Sequence, residues 1–109
     1  MASNSVLLVL TTVANRADAN RLARAMVEQR LAACAQISAI DSVYRWQGQV
    51  QAESEFRLLL KTTSDRYPAL ELALRAAHPY ELPAIVALPC SAVSTEFADW
   101  VRAEVQPPP

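Results

Sequence analysis

The chain has 109 residues, of which 52% are hydrophobic and 19% charged, with a formal net charge of −1 at pH 7. This length fits one domain over residues 1–109, with an ordered core of about 5–105. Ten basic residues against eleven acidic ones give no excess of positive charge, so we expect neither nucleic acid nor a membrane as a partner. The sequence has a single glycine, Gly48, which excludes glycine-rich phosphate loops and dinucleotide fingerprints.

The first third of the chain predicts a strand followed by a helix. The apolar run 6–10 is typical of a strand that is buried on both faces. Asn15 suits the N-cap position of a helix, and apolar residues follow it at helical spacing. The pattern therefore predicts a helix over about 16–30.

The middle third predicts a long β-hairpin within residues 33–62. Gly48, preceded by Gln47, can supply the positive φ of a tight turn. The apolar alternation changes phase near residues 40–42, which predicts a bulge or bend there. Arms of about 13 residues span roughly 43 Å, which is longer than a compact domain of this size. Such a hairpin either bends sharply or overhangs its own domain. An apolar overhang favours an oligomer, because another chain can cover it.

The last third predicts a helix, a strand and a closing helix. Ser64 or Asp65 is expected to cap the first of these helices, and His78, which precedes a proline, ends it. The run 84–88 predicts a strand that is buried on both faces, and Ser94 a further N-cap. The order β-α-β-β-α-β-α predicts an α+β, ferredoxin-like sandwich with helices on one face of an antiparallel sheet, a long central hairpin and a C-terminal helix.

Cysteine and histidine are scarce in the sequence. Cys34, Cys90 and His78 cannot complete a four-ligand zinc site within one chain, and two distant cysteines are not a disulfide framework. No basic residue precedes the apolar run 6–10, which is also shorter than the hydrophobic part of a signal peptide. We therefore expect a cytoplasmic protein whose cysteines are reduced and pack in the core.

Five short blocks of the sequence occur in the same order and spacing in one protein family. The blocks are Val9-Leu10-Thr11-Thr12, Arg30-Leu31-Ala32-Ala33-Cys34, Tyr44-Arg45-Trp46-Gln47-Gly48, Leu60-Lys61-Thr62-Thr63 and His78-Pro79-Tyr80-Glu81-Leu82-Pro83. Through them the chain resembles the CutA divalent-cation tolerance proteins from Ser5 to Val105. The resemblance implies a cytoplasmic, ferredoxin-like homotrimer linked to copper tolerance, with divalent ions bound by some members and no firmly attached catalytic activity.

The chain also departs from the family pattern. Thr11 and Thr12 stand where some members carry a metal-binding cysteine at the end of the first strand. Ala77 stands where some have a second histidine, and Ala84 where many have a glutamate. Each replacement removes a candidate ligand, so we expect copper(II) or another divalent cation to bind only weakly.

His78 and Glu81 are the candidate metal ligands. Imidazole is the commonest transition-metal ligand in proteins, and Glu81 adds a carboxylate if the turn after His78 brings the two together. Cu(II) is favoured over other first-row divalent ions at such a site. The alternative is a histidine at a helix C-terminus, where even its charged form suits the helix dipole.

The aromatic residues are candidates for an oligomer interface. The set is Tyr44, Trp46, Phe56 and Trp100. Tyrosine and tryptophan are enriched at interfaces, although the same residues can also line a ligand pocket.

Two polar groups have alternative interpretations. Arg45, Lys61 and the Thr62-Thr63 pair can bind an anion at the start of the second helix, or simply cap that helix and cover the sheet. Glu53 and Glu55 share one strand face, which suits acid/base chemistry or, without a histidine nearby, a solvated face or an ion pair between subunits.

The sequence does not predict an enzyme, because His78 alone would have to serve every catalytic mechanism. We expect a non-enzymatic homotrimer of divalent metal response with modest copper(II) binding at or near His78. One alternative is a trimeric sensor that binds an anionic metabolite in clefts between subunits and signals to a protein partner. Another is an assembly module without a ligand.

Overall fold

The computed structural model describes residues 4–107, so both ends of the predicted domain extend beyond the described part. In this part the elements are β1 (Val6–Val13), α1 (Arg16–Glu28), β2 (Cys34–Trp46), β3 (Gln49–Thr63), α2 (Tyr67–Ala77), β4 (Val86–Pro89) and α3 (Thr95–Glu104). The strands form one antiparallel sheet in the order β2-β3-β1-β4. This order of elements and strands confirms the predicted α+β, ferredoxin-like fold.

The two faces of the sheet are covered differently. Helices α1 and α2 pack on one face over an apolar core that includes Val9, Val13, Leu22, Met26, Leu58, Leu60, Leu70 and Leu74. Helix α3 lies on the opposite face, where Val101 and Val105 bury Val6 at one end of the sheet. The prediction that the helices share one face therefore does not hold for α3, since its apolar stripe covers the second face.

Helix ends follow local chemistry only in part. The predicted N-cap Asn15 is confirmed, because its side chain accepts a hydrogen bond from the backbone N–H of Asp18 at 2.9 Å. Helix α1 ends at Glu28, two residues before the predicted end, and Arg30 then adopts a left-handed φ of 58°. Ser94 is the N-cap of α3, as predicted, without a side-chain capping bond.

The predicted cap of the second helix is wrong. The N-cap of α2 is Arg66, which makes no side-chain capping bond, and the helix begins at Tyr67. The carboxylate of Asp65 instead accepts a hydrogen bond from the Thr63 hydroxyl. Pro68 lies in the first turn, where the missing N–H of proline is tolerated.

The predicted bulge at residues 40–42 is also wrong. The pairing of β2 with β3 runs without interruption from Cys34 opposite Lys61 to Trp46 opposite Gln49. Ala35, Ile37 and Phe56 pack against the core beneath α1 and α2, whereas Tyr44 and Trp46 lie farther along the hairpin, outside that core, and are partly exposed. The apolar residues therefore change face where the helix-covered core ends. The predicted turn is confirmed, since Gln47 and Gly48 have positive φ angles of 50° and 78°.

The hairpin projects beyond the rest of the sheet. The pairing of β1 with β3 ends with Val13 opposite Phe56, so among the described residues the segment 49–55 pairs only with β2. We call residues 40–55 the outer hairpin. It contributes to a longest dimension of 44 Å, against 28 and 21 Å in the other directions.

Strand β4 is more exposed than its sequence predicts. It covers Val86–Pro89 instead of 84–88, and the Val86 and Leu88 side chains are 49% and 45% exposed. β4 is an edge strand, and these two residues face the side of the sheet that α1 and α2 do not cover, opposite Leu10 and Leu8 of β1. In the described residues, no helix is both long and apolar enough to cross a membrane.

Candidate functional site

His78 lies at the junction of α2, the segment 79–84 and the end of β1. It is the C-cap of α2 with an extended backbone, as expected for a residue before proline, and its N–H donates to the Leu74 carbonyl oxygen at 2.9 Å. The side chain is buried, and its Nε2 lies 3.0 Å from the Thr12 carbonyl oxygen and 3.1 Å from Thr11 Oγ1.

The hydrogen-bond partners of His78 define its tautomer. The backbone N–H of Tyr80 donates to Nδ1 at 3.1 Å, so Nδ1 carries no proton. The Thr12 carbonyl is an acceptor, so the neutral ring places its proton on Nε2. Burial lowers the pKa of His78, against the smaller raising effects of the Thr12 carbonyl and the Asp18 charge. The imidazole is therefore neutral at pH 7.

Tyr80 connects this junction to the outer hairpin. Its hydroxyl donates to Glu55 Oε2 at 2.6 Å, and Glu55 is only 6% exposed. Its ring centroid lies 5.0 Å from that of His78. Burial first, and then the hydrogen bond and charge of Glu55, raise the pKa of Tyr80, so its hydroxyl remains a donor at physiological pH.

A groove of about 870 Å³ lies between the outer hairpin and the segment 79–84. The aromatic rings in its lining belong to Tyr44, Trp46 and Tyr80. The carboxylates in its lining belong to Asp41, Glu53, Glu55 and Glu81, and no lysine or arginine is among the lining residues. We call this space the acidic groove.

The two predicted metal ligands lie on different sides of the turn. Glu81 is exposed and lines the acidic groove, whereas His78 is buried and does not line it. Within residues 4–107, no three His, Cys, Asp or Glu side chains are grouped so that they can hold a metal ion. The structure instead surrounds His78 with Thr11, Thr12 and Tyr80.

The role of Thr11 and Thr12 was not predicted from the sequence. The resemblance indicates only that a cysteine ligand is absent there, yet both residues are hydrogen-bond partners of Nε2 of His78. The residues are 66 and 67 positions away in the chain, so no local spacing signals the contact.

The four predicted interface aromatics occupy three separate places. Tyr44 and Trp46 line the acidic groove and are 38% and 39% exposed. Phe56 packs against the protein's own core, with the Arg16 guanidinium 4.7 Å from its ring centroid. Trp100 lies on α3, 5.6 Å from the Phe97 ring.

The other polar candidates have partners of their own. Thr62 is buried and donates from Oγ1 to the Leu31 carbonyl oxygen at 2.7 Å, while the Lys61 ammonium lies 5.2 Å from the Phe97 ring centroid. These contacts account for both residues without a bound anion. Glu53 and Glu55 share one face of β3, as the alternation predicts.

The two cysteines are free thiols of intermediate burial. Cys90 packs against the apolar cluster beneath α3, which agrees with a packing role. Cys34 begins β2, opposite Lys61 of β3.

Comparison with known proteins identifies the family. Residues 7–104 match the family model of the CutA1 divalent ion tolerance protein. The chain belongs to the CutA family. It is 46% identical to the divalent-cation tolerance protein CutA of Thermus thermophilus, over 87% of this chain and 93% of that protein. It superposes on the CutA structure from Synechococcus elongatus with a TM-score of 0.91 and 40% identity, covering 97% and 95% of the two chains.

The CutA family varies in length and location. Human protein CutA is 40% identical over 90% of this chain, which spans only 55% of the human protein. An Arabidopsis thaliana relative is named as chloroplastic, and the CutA structure from Archaeoglobus fulgidus is described as periplasmic. The family takes its name from tolerance of divalent cations and not from a catalysed reaction.

Proposed function

We propose that this CutA chain acts as a non-catalytic, cytoplasmic homotrimer in divalent-cation tolerance and binds Cu(II) weakly through Nδ1 of His78. One observation carries the copper proposal. The Nε2–H group of His78 already faces the Thr12 carbonyl oxygen at 3.0 Å. Metal-bound histidines commonly donate their second ring N–H to a carbonyl, which orients the ring. The lone pair that remains for a metal is that of Nδ1.

The Tyr80 amide explains why this binding is weak. Its N–H donates to Nδ1 of His78, so Cu(II) must displace that bond before it can share the lone pair. Glu81 follows Tyr80 directly but is exposed and lines the acidic groove, so its carboxylate reaches the ion only when the turn after His78 rearranges. One imidazole nitrogen and one carboxylate oxygen favour Cu(II) over Zn(II), but they leave the other coordination positions to water or a second copy.

Isothermal titration tests the copper proposal. We expect Cu(II) to bind with micromolar or weaker affinity and Zn(II) more weakly still, with both lost in His78→Gln and Cu(II) weakened in Glu81→Gln. Glu96→Gln is the matched control, because Glu96 is an exposed carboxylate on α3 that does not line the acidic groove. Binding that persists undiminished in His78→Gln contradicts the proposal.

The uncovered face of the sheet supports the homotrimer. Apart from the end beneath α3, this face presents a continuous apolar patch, which we call the open face: Leu8, Leu10, Leu59, Val86 and Leu88. Such patches mark protein interfaces, and the two edge strands β2 and β4 can pair with other chains. A contact between the outer hairpin of one copy and the open face of the next is heterologous, and contacts of this kind form a ring when the rotation between copies closes. The resemblance to CutA proteins implies three copies.

The cytoplasmic location rests on the cysteines. Cys34 and Cys90 are both free thiols, and unpaired thiols are typical of a reducing compartment. Fractionation of the native host followed by detection of the protein tests the location, and recovery from another compartment contradicts it.

The alternative function, a sensor of an anionic metabolite, finds little support in the acidic groove. A site for an anion needs a basic side chain or a free helix N-terminus, and the groove lining has neither a lysine nor an arginine. Its carboxylates favour a ligand of the opposite charge.

A further inference from the structure

The acidic groove carries negative charge that no residue of the described chain neutralises. Asp41, Glu53, Glu55 and Glu81 line it, and within residues 4–107 none of them forms an ion pair. Glu55 is 6% exposed, and its only described polar contact is the neutral Tyr80 hydroxyl. Buried carboxylates are usually paired with a positive group. The groove therefore presents uncompensated negative charge, which a positively charged ligand would complement.

The aromatic residues of the groove indicate the kind of cation. The rings of Tyr44, Trp46 and Tyr80 line the same space as the carboxylates. The face of an aromatic ring attracts cations, and aromatic cages recognise quaternary ammonium ligands. Burial first, and then the nearby Glu53 and Glu55 carboxylates, raise the pKa of both tyrosines, so both hydroxyls stay neutral beside the carboxylates at pH 7.

We propose that the acidic groove binds an organic cation, an ammonium group attached to an apolar body. A bare divalent metal ion fits this groove less well, because no three of its carboxylates are grouped to hold one. A volume of about 870 Å³ is instead that of a pocket for a small organic molecule. The apolar body has a surface to lie on, since Leu82 is 71% exposed and lines the groove with Trp46. The proposal does not depend on copper at His78.

Three ligands that share one benzyl group test the charge preference. Benzyltrimethylammonium is positive, benzyl alcohol neutral and phenylacetate negative. The chain has two tryptophans, so Trp100→Phe leaves Trp46 as the only one, and its fluorescence reports binding. We expect saturable quenching by the cation, weaker quenching by the alcohol and none by phenylacetate, with an affinity for the cation that falls as salt is added. Equal binding of the three ligands, or no saturable binding of the cation at low ionic strength, overturns the proposal.

Substitutions locate the binding in the groove. Asp41→Asn with Glu53→Gln removes two charges and keeps the side-chain shapes, and we expect the Kd for benzyltrimethylammonium to rise at least fivefold. Trp46→Leu, followed by calorimetry, is expected to raise the Kd about two- to fivefold. Glu96→Gln removes one exposed carboxylate outside the groove and should leave the Kd unchanged. An unchanged Kd in the double variant contradicts this location.

A second copy of the chain is the competing occupant. A basic side chain of a neighbouring copy in the groove would exclude benzyltrimethylammonium, and the same double variant would then weaken the oligomer. Sedimentation of the native chain and the double variant distinguishes the two cases. We expect an unchanged oligomeric state together with the loss of ligand affinity. A dissociated oligomer with no ligand binding in the native chain overturns the proposal.

Discussion

The backbone amide of Tyr80 donates a hydrogen bond to Nδ1 of His78 at 3.1 Å. The other ring nitrogen of His78 lies 3.0 Å from the carbonyl oxygen of Thr12. One neutral imidazole thus joins the end of α2, the segment 79–84 and the end of β1. The Tyr80 hydroxyl extends this connection to Glu55 on the outer hairpin.

We predict that His78 makes stability depend on pH. Its pKa is lowered in the folded state, chiefly by burial, and a protonated Nδ1 would place a donor against the Tyr80 N–H. The unfolded chain then binds the proton first, so the stabilising contribution is complete above the unfolded pKa of about 6.5 and is lost as pH falls through the lower folded value. The melting temperature should fall more steeply on acidification in the native chain than in His78→Gln. Parallel curves for the two proteins contradict this role.

We predict that Tyr80→Phe destabilises the fold by about 1–3 kcal/mol, because it leaves the buried Glu55 carboxylate without its described donor. Tyr67→Phe is the matched control. The Tyr67 hydroxyl donates to Glu71 at 2.9 Å, but the Glu71 side chain is 41% exposed and water can replace the bond. Urea denaturation measures both changes. A loss in Tyr80→Phe no larger than that in Tyr67→Phe shows that water already reaches Glu55.

We predict that Leu88→Glu dissociates the homotrimer. Leu88 is 45% exposed in the single chain and belongs to the open face, so a carboxylate there is tolerated by the monomer but not in an apolar contact. Leu72→Glu places the same charge on α2, at a leucine that is 71% exposed and outside the open face. Sedimentation should give a trimer for the native chain and Leu72→Glu, and smaller species for Leu88→Glu. A trimer in all three places the interface elsewhere.

Local signals in the sequence were sufficient for most of the fold. Asn15 carries its own capping chemistry, and the Gln47-Gly48 turn needs only its two positive φ angles. The order of the elements follows from hydrophobic periodicity, which each segment expresses by itself.

The wrong predictions concern residues whose burial depends on which other helices or chains cover them. The apolar phase change near 40–42 reflects the outer limit of the helix-covered core and not a bulge in β2. The run 84–88 places apolar residues on both faces of a strand, although the Val86 and Leu88 side chains remain exposed within one chain. A sequence pattern predicts that a residue will be covered, but it does not identify the covering chain.

The candidate site was predictable only in part. His78 and Glu81 were recognised by their residue types and by the resemblance to CutA proteins. The contact of His78 with Thr12 joins residues 66 positions apart and required the fold. The acidic groove combines β1, the hairpin and the segment 79–84, so its charge pattern appears only when they come together.

Paramagnetic broadening by Cu(II) in the ¹H–¹⁵N spectrum of the native chain tests the central claim most directly. At substoichiometric Cu(II) and neutral pH, we expect the amide signals of His78, Tyr80 and Glu81 to broaden first, followed by that of Thr12. The same titration of His78→Gln should leave the corresponding signals sharp. Broadening that begins at Cys34 or Cys90, or that is equal in the native chain and His78→Gln, contradicts copper binding through Nδ1 of His78.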